Sequence, residues 1–102
     1  ILSQIAYIKN DNIIEIINLR YATYLYSINE FSESSRMFDL LLLKENSVLY
    51  HYILQHKGKL EFKKKNYRLA LNYFIKAKRF RKNSIVLLNS TKLAIKRTTK
   101  LL

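Results

Sequence analysis

KGKLEFKKKNYRLALNYFIKAKRF, residues 57–80, supports two readings. Nine of its residues are Lys or Arg, which suits a basic arm for nucleic acid. Its apolar residues also fall where a pair of packed helices needs them. A disordered arm has no reason to hold Gly58, Tyr67, Ala70, Phe74 and Ala77 in register with another part of the chain, yet the register is there. Ala22, Gly58 and Ala94 step by 36 residues and all are small. Leu2, Phe38 and Phe74 keep the same step and all are large; Ile5, Leu41 and Ala77 keep it too. Phe31 and Tyr67 open two segments, with Ser34 and Ala70 three residues behind them. A small residue lets one helix approach another, and a large one fills the space beside the contact. Each unit then leaves an apolar face for a neighbour to cover, which is the logic of a solenoid. Packing orders the apolar positions, and the charges fill what packing leaves free.

Helix limits follow from local chemistry. Asn12 with Glu15 three residues later fits a capping box in front of IIEIINLRYATYLYSI. Ser47 suits a cap for VLYHYIL, and Asn83 or Ser84 for IVLLNSTKLAIK. Polar breaks stand at Asn29-Glu30 and Lys65-Asn66. Six helical segments are predicted, at about 1–9, 13–28, 31–44, 48–64, 67–80 and 84–99. Breaks this short make neighbouring helices antiparallel. A chain with no Pro and one Gly also lacks the turn chemistry that an all-strand fold requires.

The stretch running from Gly58 through Phe62, Tyr67, Ala70 and Phe74 to Ala77 resembles the tetratricopeptide repeat (TPR) family. That family is a 34-residue helix–turn–helix with a small residue in the first helix. An aromatic then opens the second helix, followed by Ala, Phe and Ala. Ala22, Phe31, Ser34, Phe38 and Leu41 match one repeat earlier, more loosely. The pattern departs from the family at Asn18 and Leu54, where an aromatic is usual. It also lacks the Pro that usually closes the second helix; Asn46 and Lys82 stand near its place. The resemblance implies an all-α, right-handed solenoid of antiparallel helix pairs. It also implies one domain over residues 1–102, with repeats at about 13–46 and 49–82 and half-repeats at 1–10 and 84–99. The chain opens with Ile1 rather than Met, and a fragment of a longer chain is expected.

The 102 residues carry a net charge of +12, placed unevenly. Residues 1–50 carry a net −2 and residues 51–102 a net +14, with Glu61 the one acid in the second half. Such a field draws anionic partners. Cysteine is absent, which excludes disulfide and thiol chemistry. No apolar run approaches the length of a membrane span. A cytoplasmic location is the default expectation, and no cofactor is expected.

The resemblance implies a protein-binding scaffold whose concave groove is lined by the first helix of each pair. Asn18, Tyr21 and Tyr24 on the first such helix are candidates for partner contact, with Tyr21, Tyr24, Leu25 and Ile28 sharing a stripe. Lys57, Lys64, Lys92 and Lys96 on the later ones would form a basic lip for an acidic peptide or a carboxylate. The competing account makes the tyrosines repeat packing and the lysines a solvated face. A second cationic set, Lys63, Lys65, Arg68, Arg79, Arg81 and Lys82, suits phosphates of nucleic acid. Cations near a helix C-terminus are favourable without any ligand, which explains part of that clustering. Neither zinc-finger spacing nor an RRM signature occurs. A third alternative is a structural segment of a larger sensor or regulatory protein.

Catalysis is not expected. His51 and His56 lie about 140° apart around a helix and make no HExxH pair. The carboxylates show no acid–base pairing, and the one Gly lies inside a predicted helix rather than in a phosphate loop. Ser34 and Ser35 have no evident His and acid partners.

Overall fold

The computed structural model describes residues 10–102, and every regular element among them is an α-helix. In order these are α1 (Asn10–Ser27), α2 (Phe31–Leu41), α3 (Tyr50–Lys63), α4 (Tyr67–Arg79) and α5 (Ile85–Thr99). The segment predicted at 1–9, with Leu2 and Ile5 and the half-repeat they belong to, lies outside the described residues. The chain forms two compact units, one ending at Leu43 and the other running from Lys44 to Leu102. In the first, α1 packs on α2; in the second, α3 packs on α4 and α4 on α5.

Two predicted caps are corrected. The chain is already helical at Asn10, so Asn12 lies inside α1 and does not cap it. Ser47 does not cap α3 either. Its Oγ accepts the Leu49 N–H at 3.1 Å and its carbonyl accepts the Tyr50 N–H at 3.1 Å, which closes a turn just ahead of the helix. Ser84 does cap α5: its side chain accepts the Leu87 N–H at 3.4 Å.

The two turns inside the helix pairs are copies of one another. Asn29 and Lys65, 36 residues apart, are the two non-glycine residues with positive φ among those described, at 66° and 67°. The Asn29 N–H bonds the Tyr26 carbonyl at 3.1 Å and the Glu30 N–H bonds that of Leu25 at 2.8 Å. In the second copy the Lys65 N–H bonds Phe62 at 3.0 Å and the Asn66 N–H bonds Glu61 at 2.8 Å. Each is a Schellman motif, in which one left-handed residue turns the chain and satisfies the last carbonyls of the helix. Glu30 and Asn66 then enter the next helix with φ of −86° and −88°. The C-terminus of α5 repeats only the start of this pattern. Lys100 and Leu101 bond Lys96 and Thr98, but Leu102 closes on Thr99 rather than on Arg97.

The cores repeat as well. The buried residues of α2 are Ser34, Phe38 and Leu41, and those of α4 are Ala70, Phe74 and Ala77. Each of the second trio lies 36 residues beyond its counterpart. Ala22 is fully buried in its own unit, and the Ser34 hydroxyl donates to its carbonyl at 2.7 Å. In the other unit Gly58 faces the ring of Phe74. A Cβ on Gly58 would come within 2.5 Å of that ring, so a side chain here would require the ring to shift. Ala94, at the third position of the series, is half-buried.

Candidate cationic groove

The second unit carries a groove between α4 and α5. Ile75, Lys78 and Arg79 of α4 and Lys82 of the following loop form one wall; Leu88 and Lys92 of α5 form the other. Its volume is about 390 Å³. Ile75, Lys78 and Arg79 stand at i, i+3 and i+4 on one face of α4, and Lys82 extends that wall just past the helix end. Leu88 and Lys92, four apart, are likewise neighbours on one face. All four cations are exposed, and no acid lines the groove to neutralise them. The α4 cations near the groove also sit at its C-terminal end, where the helix dipole favours them. The result is an aliphatic floor ringed by positive charge.

A buried polar cluster anchors the loop between the two walls. Arg81 is 4% exposed. Its Nε–H donates to His51 Nδ1 at 3.0 Å, and its Nη1 donates to Thr91 Oγ1 at 3.0 Å. The Thr91 hydroxyl in turn donates to Gln55 Oε1 at 3.0 Å, with the Leu87 carbonyl as its alternative acceptor at 3.1 Å. The guanidinium also lies 5.4 Å from the Tyr52 ring centroid. Burial lowers the pKa of Arg81 below the usual arginine range, partly opposed by Tyr52. Arg81 therefore ties the α4–α5 loop to α3 and α5, and the expectation that it contacts phosphates is corrected: its donors point inward. Lys82 follows Arg81 and Lys92 follows Thr91 in the sequence, and both line the groove. His51 has its pKa lowered by burial and by the charge of Arg81. His56 is pushed down to about 4 by burial, with Lys59 and Arg81 adding repulsion.

The remaining predicted site residues scatter. Lys57 is 3% exposed; its Nζ stands 4.0 Å from Glu61 Oε1 and 6.0 Å from the Tyr73 ring centroid. It is thus not part of an exposed basic lip, because its charge is already answered inside the unit. Lys64 lies 3.5 Å from the same carboxylate oxygen and keeps an exposed flank. Asn66 Nδ2 donates to Glu61 Oε2 at 3.0 Å, so this acid is fully engaged. Lys96 is exposed on α5 but does not line the groove. Lys63, Lys65 and Arg68 are exposed around the α3–α4 turn. Tyr21 and Tyr24 are 47% and 57% exposed on α1, Asn18 is half-buried, and Leu25 is buried rather than part of their stripe.

The groove thus joins Lys92 from the peptide-lip set to Arg79 and Lys82 from the phosphate set, two groups that the sequence reading kept apart. Ile75, Lys78 and Leu88 were missed as site residues. The i, i+3, i+4 set at 75, 78 and 79 was a legible signal for the first two; which face of α5 meets it was not.

Among the described residues no three His, Asp or Glu side chains gather to hold a metal ion. No helix among them is long and apolar enough to cross a membrane. No family model matches the chain, and neither the curated proteins nor the solved structures contain a match to it.

Proposed function

We propose that this chain is a TPR-like helical-repeat module that binds a partner protein, and that the α4–α5 groove receives an acidic segment of that partner. The repeated left-handed turns and the repeated buried trios of α2 and α4 support the repeat architecture. The observation that carries the binding reading is the groove itself, where Lys78, Arg79, Lys82 and Lys92 surround Ile75 and Leu88 with no acid in the lining. Opposite charge at such a rim speeds encounter and selects the partner, while the floor adds apolar contact. The test is a fluorescence-anisotropy titration with an acidic peptide. Lys78→Glu with Arg79→Glu weakens binding about tenfold or more while the helical circular dichroism stays unchanged. An unchanged affinity contradicts the proposal.

A second reading is contact with nucleic-acid phosphates. The net +14 of residues 51–102 and the exposed Lys63, Lys65 and Arg68 favour it. It requires RNA or DNA binding that falls steeply with salt. A module that binds neither class would serve as a structural segment of a larger protein.

A further inference from the structure

We infer that the α4–α5 groove takes a short acidic segment with an aliphatic side chain set between its carboxylates, rather than any polyanion; this rests on the acidic-partner reading above. The argument is one of matched chemistry. Four cations ring the groove, yet its floor is Ile75 and Leu88. Ile75 is 40% exposed although it sits among charged neighbours, so it presents apolar surface to whatever enters. A purely electrostatic site gains nothing from such a floor. A phosphodiester chain brings no aliphatic group to cover it. A nucleobase would stack on an aromatic ring, and no ring lines this groove. The volume of about 390 Å³ lies at the low end for ligand sites, which suits one or two side chains rather than a whole helix. At one end of the groove the Arg81–Thr91–Gln55 cluster anchors the α4–α5 loop, which carries Lys82, to α5, which carries Lys92. Charge therefore recruits the segment, and the floor selects among acidic segments.

The test uses three fluorescein-labelled peptides of equal length. The first has Leu at the centre of a run of Asp and Glu. The second has Ser in place of that Leu. The third keeps Leu but has Asn and Gln in place of the acids. A U-rich RNA of matching charge is the fourth ligand. The account expects the first peptide to bind about tenfold tighter than the second, since a partly buried Leu contributes that order of affinity. It expects the third to bind weakest of the peptides. Ile75→Gln should bring the first peptide close to the second, and Ile75→Val should leave most of the difference. Should Ile75→Gln fail to fold, the Leu-to-Ser comparison on the unaltered protein still decides. Equal binding of the first two peptides overturns this inference and leaves the acidic-partner reading standing. No binding of either overturns both. Tighter binding of the RNA, lost in Lys78→Glu with Arg79→Glu, overturns both in favour of phosphate recognition.

Discussion

Thr91 and Gln55 hydrogen-bond at 3.0 Å, and they are 36 residues apart, so equivalent positions on α3 and α5 meet directly. The same hydroxyl accepts from Arg81, and no buried side-chain nitrogen or oxygen among the described residues lacks a partner. Thr91→Val keeps the shape but removes both roles at once. It leaves the Gln55 oxygen without that donor and the Arg81 Nη1 without that acceptor. The expected loss is about 1–3 kcal/mol, read from the urea midpoint. Adding Gln55→Leu should cost less than it does alone, because the stranded oxygen is removed with it.

Gly58→Ala sets two effects against each other. Alanine favours the helix by about 1 kcal/mol. Its methyl, however, would stand 2.5 Å from the buried Phe74 ring, and overpacking of this kind costs about 1–3 kcal/mol. The expected outcome is a net loss near 1 kcal/mol in denaturant unfolding. Phe74→Leu should relieve part of it, so that the pair together is less destabilised than the two singles summed.

Lys65 occupies a left-handed conformation that L side chains adopt at a cost of about 1–2 kcal/mol. Lys65→Gly is expected to raise stability by about 1 kcal/mol, despite removing a charged surface residue, because Gly meets no such penalty. Asn29, its counterpart, already belongs to a residue type suited to the turn. Asn29→Ala should therefore lower stability. Thermal unfolding of the two variants checks both signs.

His51 and His56 both have folded-state pKa values below their ordinary 6.5, His56 at about 4. The unfolded chain then binds more protons across that interval. Their contribution to stability is complete above about pH 6.5 and is lost as the pH falls toward 4, by on the order of 2–3 kcal/mol for His56. Protonated His51 can no longer accept from Arg81, which adds to the loss. Urea midpoints between pH 7 and 4.5 should fall more steeply for the unaltered chain than for His56→Gln. Equal slopes would contradict the assignment.

Much of the repeat was readable because packing writes it in residue size. Ser34, Phe38 and Leu41 answer Ala70, Phe74 and Ala77 in the fold as they do in the sequence. The breaks at Asn29 and Lys65 were equally legible, though nothing about a lysine announces a left-handed turn. The start of α1 was not, since Asn10, Asp11 and Asn12 are all cap-forming types. Lys57 and Arg81 defeated the reading for another reason. Charge ordinarily means exposure, and only the tertiary arrangement buries Lys57 with its i,i+4 partner Glu61 and brings His51 and Thr91 to Arg81. The groove was half legible: its α4 stripe is a helical period, but its second wall depends on how α5 docks.

The most direct test is a methyl and amide chemical-shift titration of the isotopically labelled chain with the Leu-centred acidic peptide. The account predicts saturable shifts at the Ile75 and Leu88 methyls and at the amides of Lys78, Arg79, Lys82 and Lys92, with Tyr21, Tyr24, Lys63 and Arg68 unmoved. Shifts centred on the α3–α4 turn or on the α1 tyrosines, with the α4–α5 groove silent, would contradict it.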